Sequence, residues 1–430
     1  MNAVRPPSVV IAPSGLKESL DADAVARAIA ERVRRVVPSA SIHCVPLVDG
    51  GEGTAAALAA ATGGELLPVT VTGPTEVPVA SHFAVLGDGI TAVVEMAAAA
   101  GLRLVPRAQR NPLRTTTRGV GELIIAALDR GYRRILVGCG DSGTSDGGAG
   151  ALTALGARLL DARGRELADG ARHLRRLARI DVSGLDDRLA AATLCVACNP
   201  ANVLTGPRGV PRVFGPQKGA TPAQVDTLTD ALKRWAKVLE ADVPGAAGRD
   251  LRHAPGTGAS GGLGAGLAAI GATLVSRFEA LFTWVDLDGA IREADLMITA
   301  EGAIDGQTAH GKVPAEVAAR AQRLGKPVLA LTGTIGTQAS SIHALGIDAV
   351  QCILPAPVTL DEACARGSEF LTDSTERALR VVMLGMQLAR TRTAHDAFTS
   401  GPSIGSRCPN VSRPGGLPRS GVSGATTRRV

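Results

Sequence analysis

Aromatic side chains are scarce in this 430-residue chain: one Tyr, two Trp and six Phe make up 2% of it. So few rings cannot line a stacking platform for single-stranded nucleic acid, and the cores have to be built from Ala, Val, Leu and Ile. Charge of one sign is equally short outside the C-terminus. The formal net charge is +6, but residues 391–430 set six arginines against the single acid Asp396, a surplus of +5 that leaves +1 for the rest. A nearly neutral body has no long-range field to gather DNA, so the basic tail reads as solvated and no nucleic-acid partner is expected. Seven cysteines, an odd count at irregular spacing, do not form a disulfide framework and point to a reducing compartment. Cys195 and Cys198 form a CxxC with no second pair, so they read as buried thiols. No uncharged apolar stretch reaches 18 residues, and the run from Ser8 to Pro13 is too short for a signal peptide. No membrane role is expected, the protein reads as cytoplasmic, and a homodimer is left open.

Glycine and proline are abundant, 52 and 25 residues, about 18% of the chain against roughly 12% in average usage. Many turns must therefore be tight or closely approached by something. The content, 45% hydrophobic and 20% charged, suits a globular chain long enough for two cores. A β-branched run at Ser8–Ala12, helical spacing from Asp21 to Val37 and a second run at Ser41–Leu47 predict a β-α-β opening. The alternation returns late, with strands at Ala294–Thr299, Pro327–Leu331 and Ala349–Leu354 and a helix at Pro314–Leu324. Such alternation predicts a parallel sheet covered on both faces. Three short runs between 65 and 96 predict a meander, and buried strands follow at Arg134–Val137 and Thr193–Val196. The expectation is an α/β protein of two domains: residues 1–66 with 288–390, and an inserted mixed α/β domain over 67–287. Residues 391–430, rich in Ser, Gly, Pro and Arg, are expected to be a disordered tail.

Six clusters of glycine with charged or amide side chains sit where strands end or helices begin, which is where open α/β sheets bind ligands. Lys17 follows the first strand in APSGLK and can meet a phosphate or carboxylate as a point charge. Asp49-Gly-Gly-Glu52 offers two carboxylates beside bare backbone, suited to Mg²⁺ or substrate hydroxyls, or simply to a helix N-terminus. Gly138-Cys-Gly140-Asp141-Ser142-Gly143, with Asp146 and Gly147 beyond, satisfies GxGxxG after a strand, and Asp161 stands near the distance of a ribose-binding acid. Two acids and extra glycines suit a metal–phosphate group better than a dinucleotide. Gly256-Thr-Gly258-Ala-Ser-Gly261 repeats the pattern without a strand before it. Glu301, Asp305, Gln307, Thr308 and Lys312 follow a late strand; Gly306–Lys312 reads GxxxxGK, but Val313 replaces the hydroxyl a Walker A loop needs. Asn199, Gln217 and Lys218 lie in Gly-Pro-rich loops.

Taken in order, the segments APSGLK, VDGGEGT, GDSGTSDGGAG, NPANVLTGPRGV, FGPQKGA, PGTGASGGLG and ADLMITAEGAIDGQTAHGKVP resemble the bacterial glycerate kinase family, and the resemblance runs from about Ser8 to Arg390. It implies ATP-dependent phosphorylation of D-glycerate to 2-phosphoglycerate, with 3-phosphoglycerate as the alternative product and Mg²⁺ as cofactor. It also implies a flavodoxin-like domain with a second α/β domain inserted and the site in the cleft between them. Ser14-Gly15-Leu16 stands where the family has Asp-Ser-Phe, and Val196 and Ala303 depart from a family Asp and Arg.

Under that resemblance Lys17, Asp49 and Asp305 are the expected catalytic residues, with Asp49 or Asp305 taking the hydroxyl proton. Glu52, Asn199, Gln217, Lys218, Gln307 and Thr308 would bind substrate. Gly140, Ser142, Gly147, Gly258, Gly261 and Lys312 would hold the nucleotide, and Asp141, Asp146 and Glu301 the metal. The rival readings are an NAD(P)-dependent oxidoreductase using Gly138–Gly143 and a nucleotide-binding protein without turnover.

Overall fold

The structure, a computed structural model, describes residues 5–16, 19–306, 308, 311–337 and 339–399. Lys17, Gln307 and the tail from residue 400 lie outside them.

Thirteen strands occur among the described residues, arranged as two sheets and a hairpin. They are β1 (Ser8–Ile11), β2 (Ser41–Cys44), β3 (Glu65–Thr72), β4 (Pro78–Val85), β5 (Thr91–Glu95), β6 (Arg134–Gly138), β7 (Arg158–Asp161), β8 (Leu177–Asp181), β9 (Thr193–Cys198), β10 (Thr273–Ser276), β11 (Leu296–Ile304), β12 (Val328–Ile335) and β13 (Ala349–Cys352).

The first sheet runs β13-β12-β11-β1-β2 and every pairing in it is parallel. Counted by its own strands that order is 2-1-3-4-5, the flavodoxin order, with its reversal between β1 and β11. All four residues of β1 are buried, as the β-branched run requires of a strand covered on both faces. The Ala22–Val36 helix crosses from β1 to β2, buries Val25, Ala26, Ile29 and Val33, and is capped by the Asp21 carboxylate on the Ala24 amide at 2.7 Å. The second sheet runs β10-β9-β6-β5-β4-β3. β5, β6, β9 and β10 are parallel, while β3–β4 and β4–β5 are antiparallel, which is the meander legible between residues 65 and 96. Both sheets are therefore α/β as expected, the first parallel and the second mixed.

The cores follow the composition. Val10, Leu47, Leu58 and Met297 fill one cluster, Val94, Leu123, Ile135 and Val137 another, with alanines between. No helix among the described residues is long and apolar enough to cross a membrane.

Two boundaries differ from the sequence reading. The strand expected to stop at Thr299 continues to Ile304, because β12 also continues and pairs Ala303 with Thr334 and Ile304 with Ile335. Glu301 thus lies in a strand, not in the loop after it. The last helix, Gly367–Thr399, carries regular structure through the first nine residues of the expected tail. Its stretch beyond Arg380 forms a separate unit in which Val381, Leu384 and Leu388 are exposed.

Candidate active site at the strand ends

Five parallel strands, β2, β6, β9, β10 and β11, deliver polar residues just past their C-terminal ends. The loop after β2 carries Asp49–Glu52 and lies directly on the loop after β6. A Cβ on Gly140 would sit 2.5 Å from the Gly51 Cα and N, and one on Gly138 3.0 Å from the Gly50 carbonyl oxygen, so the contact is backbone on backbone. The Glu52 amide donates to Asp141 Oδ2 at 3.2 Å. Asp141 holds φ +46°, the left-handed region an Asp tolerates better than most residues.

Arg277, the first residue after β10, joins three chain segments. Its Nη1 donates to Asp49 Oδ2 at 2.9 Å and to the Asp49 carbonyl at 3.1 Å, while Nη2 donates to the Gly311 carbonyl. The guanidinium lies 4.9 Å from the Phe278 ring centroid and its side chain is 11% exposed. Gly311 also abuts Asn199, whose Nδ2 would be 3.3 Å from a Cβ there. The same turn leads into Lys312, whose Nζ stands 3.6 Å from both Glu301 Oε1 and Asp305 Oδ1 and donates to the Ala303 carbonyl at 3.0 Å.

Glu95 closes the floor. It ends β5, is 2% exposed, and accepts the Gly53 amide at 3.1 Å and the Ala55 amide at 3.0 Å, which caps the Thr54–Thr62 helix. Burial, with help from the Glu52 and Asp141 charges and against those two amides, pushes its carboxyl up to about 7. An unfolded Glu titrates at about 4.3, so between there and about 7 the folded state holds the extra proton and stability falls as pH rises. Urea unfolding at pH 5 and pH 8 should show the wild type losing about 2 kcal/mol relative to Glu95→Gln. An unchanged gap between the two proteins would mean that Glu95 is not buried as described.

The family model for the glycerate kinase family matches residues 9–383. A glycerate kinase of Bacillus subtilis (strain 168) is 45% identical over 384 residues, 89% of this chain and 98% of that protein. The glycerate 2-kinase of Escherichia coli (strain K12) is 44% identical over 382 residues, 89% and 99% of the two chains. A crystal structure from Salmonella typhimurium LT2, assigned as a glycerate kinase 2, superposes with TM-score 0.72 at 44% identity and covers 89% of this chain and all of its own.

The chain belongs to the glycerate kinase family. It is accordingly an enzyme of the kinase class, and the loops just described all fall inside the matched span.

Within that family frame the expected site residues divide. Asp49, Glu52, Gly140, Asp141, Asn199, Glu301, Asp305 and Lys312 lie on loops and strand ends joined by the contacts above. Gln217 is exposed, Ser142 is 9% exposed, and Lys17 and Gln307 fall outside the described residues.

Six expected site residues need correction. Asp146 cannot reach a metal from where it stands: it is wholly buried and accepts from the Thr117 amide and hydroxyl and from the Gly148 and Gly150 amides, although burial raises its carboxyl. Lys218, expected on substrate, is buried beneath the loop after β6. Thr308 is buried with its hydroxyl accepting the Asp305 amide at 3.0 Å. The Gly147 and Gly258 amides are already used, on the Gly261 and Asn202 carbonyls, so they cannot cradle phosphate. Gly261 is buried where a Cβ would strike the Thr144 carbonyl, so it too serves packing. Nor is the dinucleotide fingerprint formed at Gly138–Gly143. The next helix starts only at Ala149, and Asp161 is bound by Arg165 in the β7–β8 connection.

Asp141, Asp146 and Glu301 do not converge, and among the described residues no three His, Cys, Asp or Glu side chains form a metal group. A dedicated cage is therefore a poor fit. Mg²⁺ that arrives with a nucleotide needs only one or two carboxylates, and the Glu301–Asp305 pair fits that demand. Sequence reading missed Arg277 and Glu95. Glu95 carried a signal, an acid closing an apolar strand, whereas Arg277 carried none.

A pocket of about 460 Å³ beside β2, lined by Leu58, Phe282 and Trp284 among others, contains none of these site residues.

Proposed function

We propose that the protein transfers the γ-phosphoryl group of ATP to D-glycerate, giving 2-phosphoglycerate, in the crevice bounded by the loops after β2, β6 and β11. The observation that carries this reading is the Arg277 junction. One buried guanidinium bonds both Asp49 and the Gly311 carbonyl, which ties the loop after β2 to the turn that carries Lys312 and supports a shared role for the two.

Phosphoryl transfer through a loose transition state asks for positioning and charge neutralisation more than for covalent chemistry. The glycerate hydroxyl oxygen bonds to the γ-phosphorus as the bond to the β–γ bridging oxygen breaks; ADP leaves and the hydroxyl proton passes to Asp49. Arg277 keeps that carboxylate aimed through its 2.9 Å bond. Lys312 brings a positive charge to the phosphates. Glu301 and Asp305 would hold Mg²⁺, which neutralises phosphate charge when bound. The Gly140–Ser142 turn would face the nucleotide. Lys17 keeps its assignment to the developing phosphate charge on the resemblance alone. The reading includes a cytoplasmic location.

A coupled assay of ADP formation, with NAD(P)H absorbance followed in parallel, tests the proposal. ADP should form only when D-glycerate is present, and phosphorus NMR should show the phosphate on the 2-oxygen. Nucleotide reduction without ADP formation would replace this reading with the oxidoreductase, ATP binding without turnover would replace it with the silent binding protein, and a 3-phosphate would correct the position alone.

A further inference from the structure

Beneath the loop after β6 lies a lysine whose hydrogen bonds among the described residues go to neutral oxygens. Lys218 ends the short 3₁₀ turn Pro216–Lys218 and is 2% exposed. Its Nζ donates to Ser142 Oγ at 2.7 Å and to the Thr144 carbonyl at 2.6 Å. The charge that acts on it is that of Asp146, whose carboxylate is taken up by Thr117 and the Gly148 and Gly150 amides. Burying an ammonium without a bonded counter-ion is expensive, and burial pulls this one down to about 7.

Two consequences of that placement reach the loop after β6. Ser142 Oγ accepts from Lys218, so the hydroxyl's own proton is left to donate elsewhere. Ser142 and Thr144 also flank Gly143, whose amide donates to the Ala100 carbonyl at 2.8 Å, and Ser142 follows Asp141 with its positive φ. Left-handed non-glycine residues persist where their surroundings over-determine them, and Lys218 supplies two of those restraints.

We propose that Lys218 is a positioning residue for a phosphoryl-bearing ligand: it pins the Asp141–Thr144 turn from the interior and makes the Ser142 hydroxyl a charge-backed donor to a phosphoryl oxygen. The inference rests on the reading that this turn faces the nucleotide, and it gives the interior ammonium a purpose. A polyphosphate brings negative charge to the turn that this interior ammonium supports. Lys218 acts on it through Ser142, without contact.

The test is a double-mutant cycle on Lys218→Met and Ser142→Ala, read as KM for ATP, KM for D-glycerate, and ATP affinity by calorimetry. Each single change should raise the KM and Kd for ATP about tenfold, the scale of one lost hydrogen bond to a charged group, and leave the KM for glycerate nearly unchanged. The double variant should be no worse than Lys218→Met, because both changes break one chain of contacts. Lys218→Arg should not restore ATP affinity, since a larger planar group cannot occupy the same buried point. Native-state amide exchange should accelerate over residues 140–146 in Lys218→Met and stay unchanged over Arg134–Val137.

Unchanged ATP affinity in the single variants, additive effects in the cycle, or an equal rise in both KM values would overturn the role of Lys218 alone. A wild-type protein that binds no ATP would overturn the nucleotide reading with it. Ser142→Ala, which removes only a hydroxyl, keeps the test decisive should Lys218→Met fail to fold.

Discussion

Replacing Arg277 with Met is expected to lower kcat/KM for D-glycerate by about 100-fold, the loss that a misplacement of roughly 1 Å at a reacting group produces. The guanidinium makes three hydrogen bonds to two segments, Asp49 and Gly311, and nothing else described spans them at that point. Hydrogen bonds to a charged group contribute about 1.5–3 kcal/mol each, so the unsupported loops should also unfold more readily. Arg277→Lys should recover little: an ammonium is a point charge on a flexible stem and cannot bridge acceptors lying in different directions. Steady-state kinetics beside urea unfolding separates the two effects. A Met variant with wild-type kcat and KM would remove Arg277, and with it the orientation of Asp49, from the mechanism.

Gly140→Ala should be comparably damaging for a different reason. The new methyl would need the space of the Gly51 Cα and N, 2.5 Å away, and neither backbone can step aside without moving Asp141 or Asp49. We expect kcat/KM to fall about 100-fold with the secondary structure intact. Gly385→Ala is the control: it has open space around a Cβ and ordinary helical backbone, so the added methyl should leave activity unchanged. Equal kinetics for Gly140→Ala and wild type would show that the two loops are not in contact.

The parallel sheet was legible because β-branched runs alternating with helical spacing leave few other packings. The flavodoxin order added what periodicity cannot, which strand lies beside which. The site was legible in part. Asp49, Asp141, Glu301, Asp305 and Lys312 sit beside glycines at strand ends, and that pattern shows in one dimension. Asp146 and Lys218 show the limit of the pattern. Both lie in glycine-rich loops and look available, yet both point inward, because a loop folded over a core needs polar anchors as much as a ligand does. Burial separates the two uses, and burial depends on neighbours far away in sequence. Arg277 is the converse, an unremarked arginine whose role follows only from the meeting of β10 with two distant loops.

The partner of β1 across the reversal of its sheet is β11, with Val9 opposite Leu296. At the ribosome's pace of about 5–20 residues per second, roughly 15–60 s separate their synthesis. During that interval the nascent β1–β2 pair has bare hydrogen-bonding groups along its inner edge, while the strands from Glu65 to Ser276 find their mates within that same stretch. Newborn chains should therefore depend on a holding chaperone at their amino-terminal end, and truncation before Leu296 should yield aggregates, not a smaller soluble fragment.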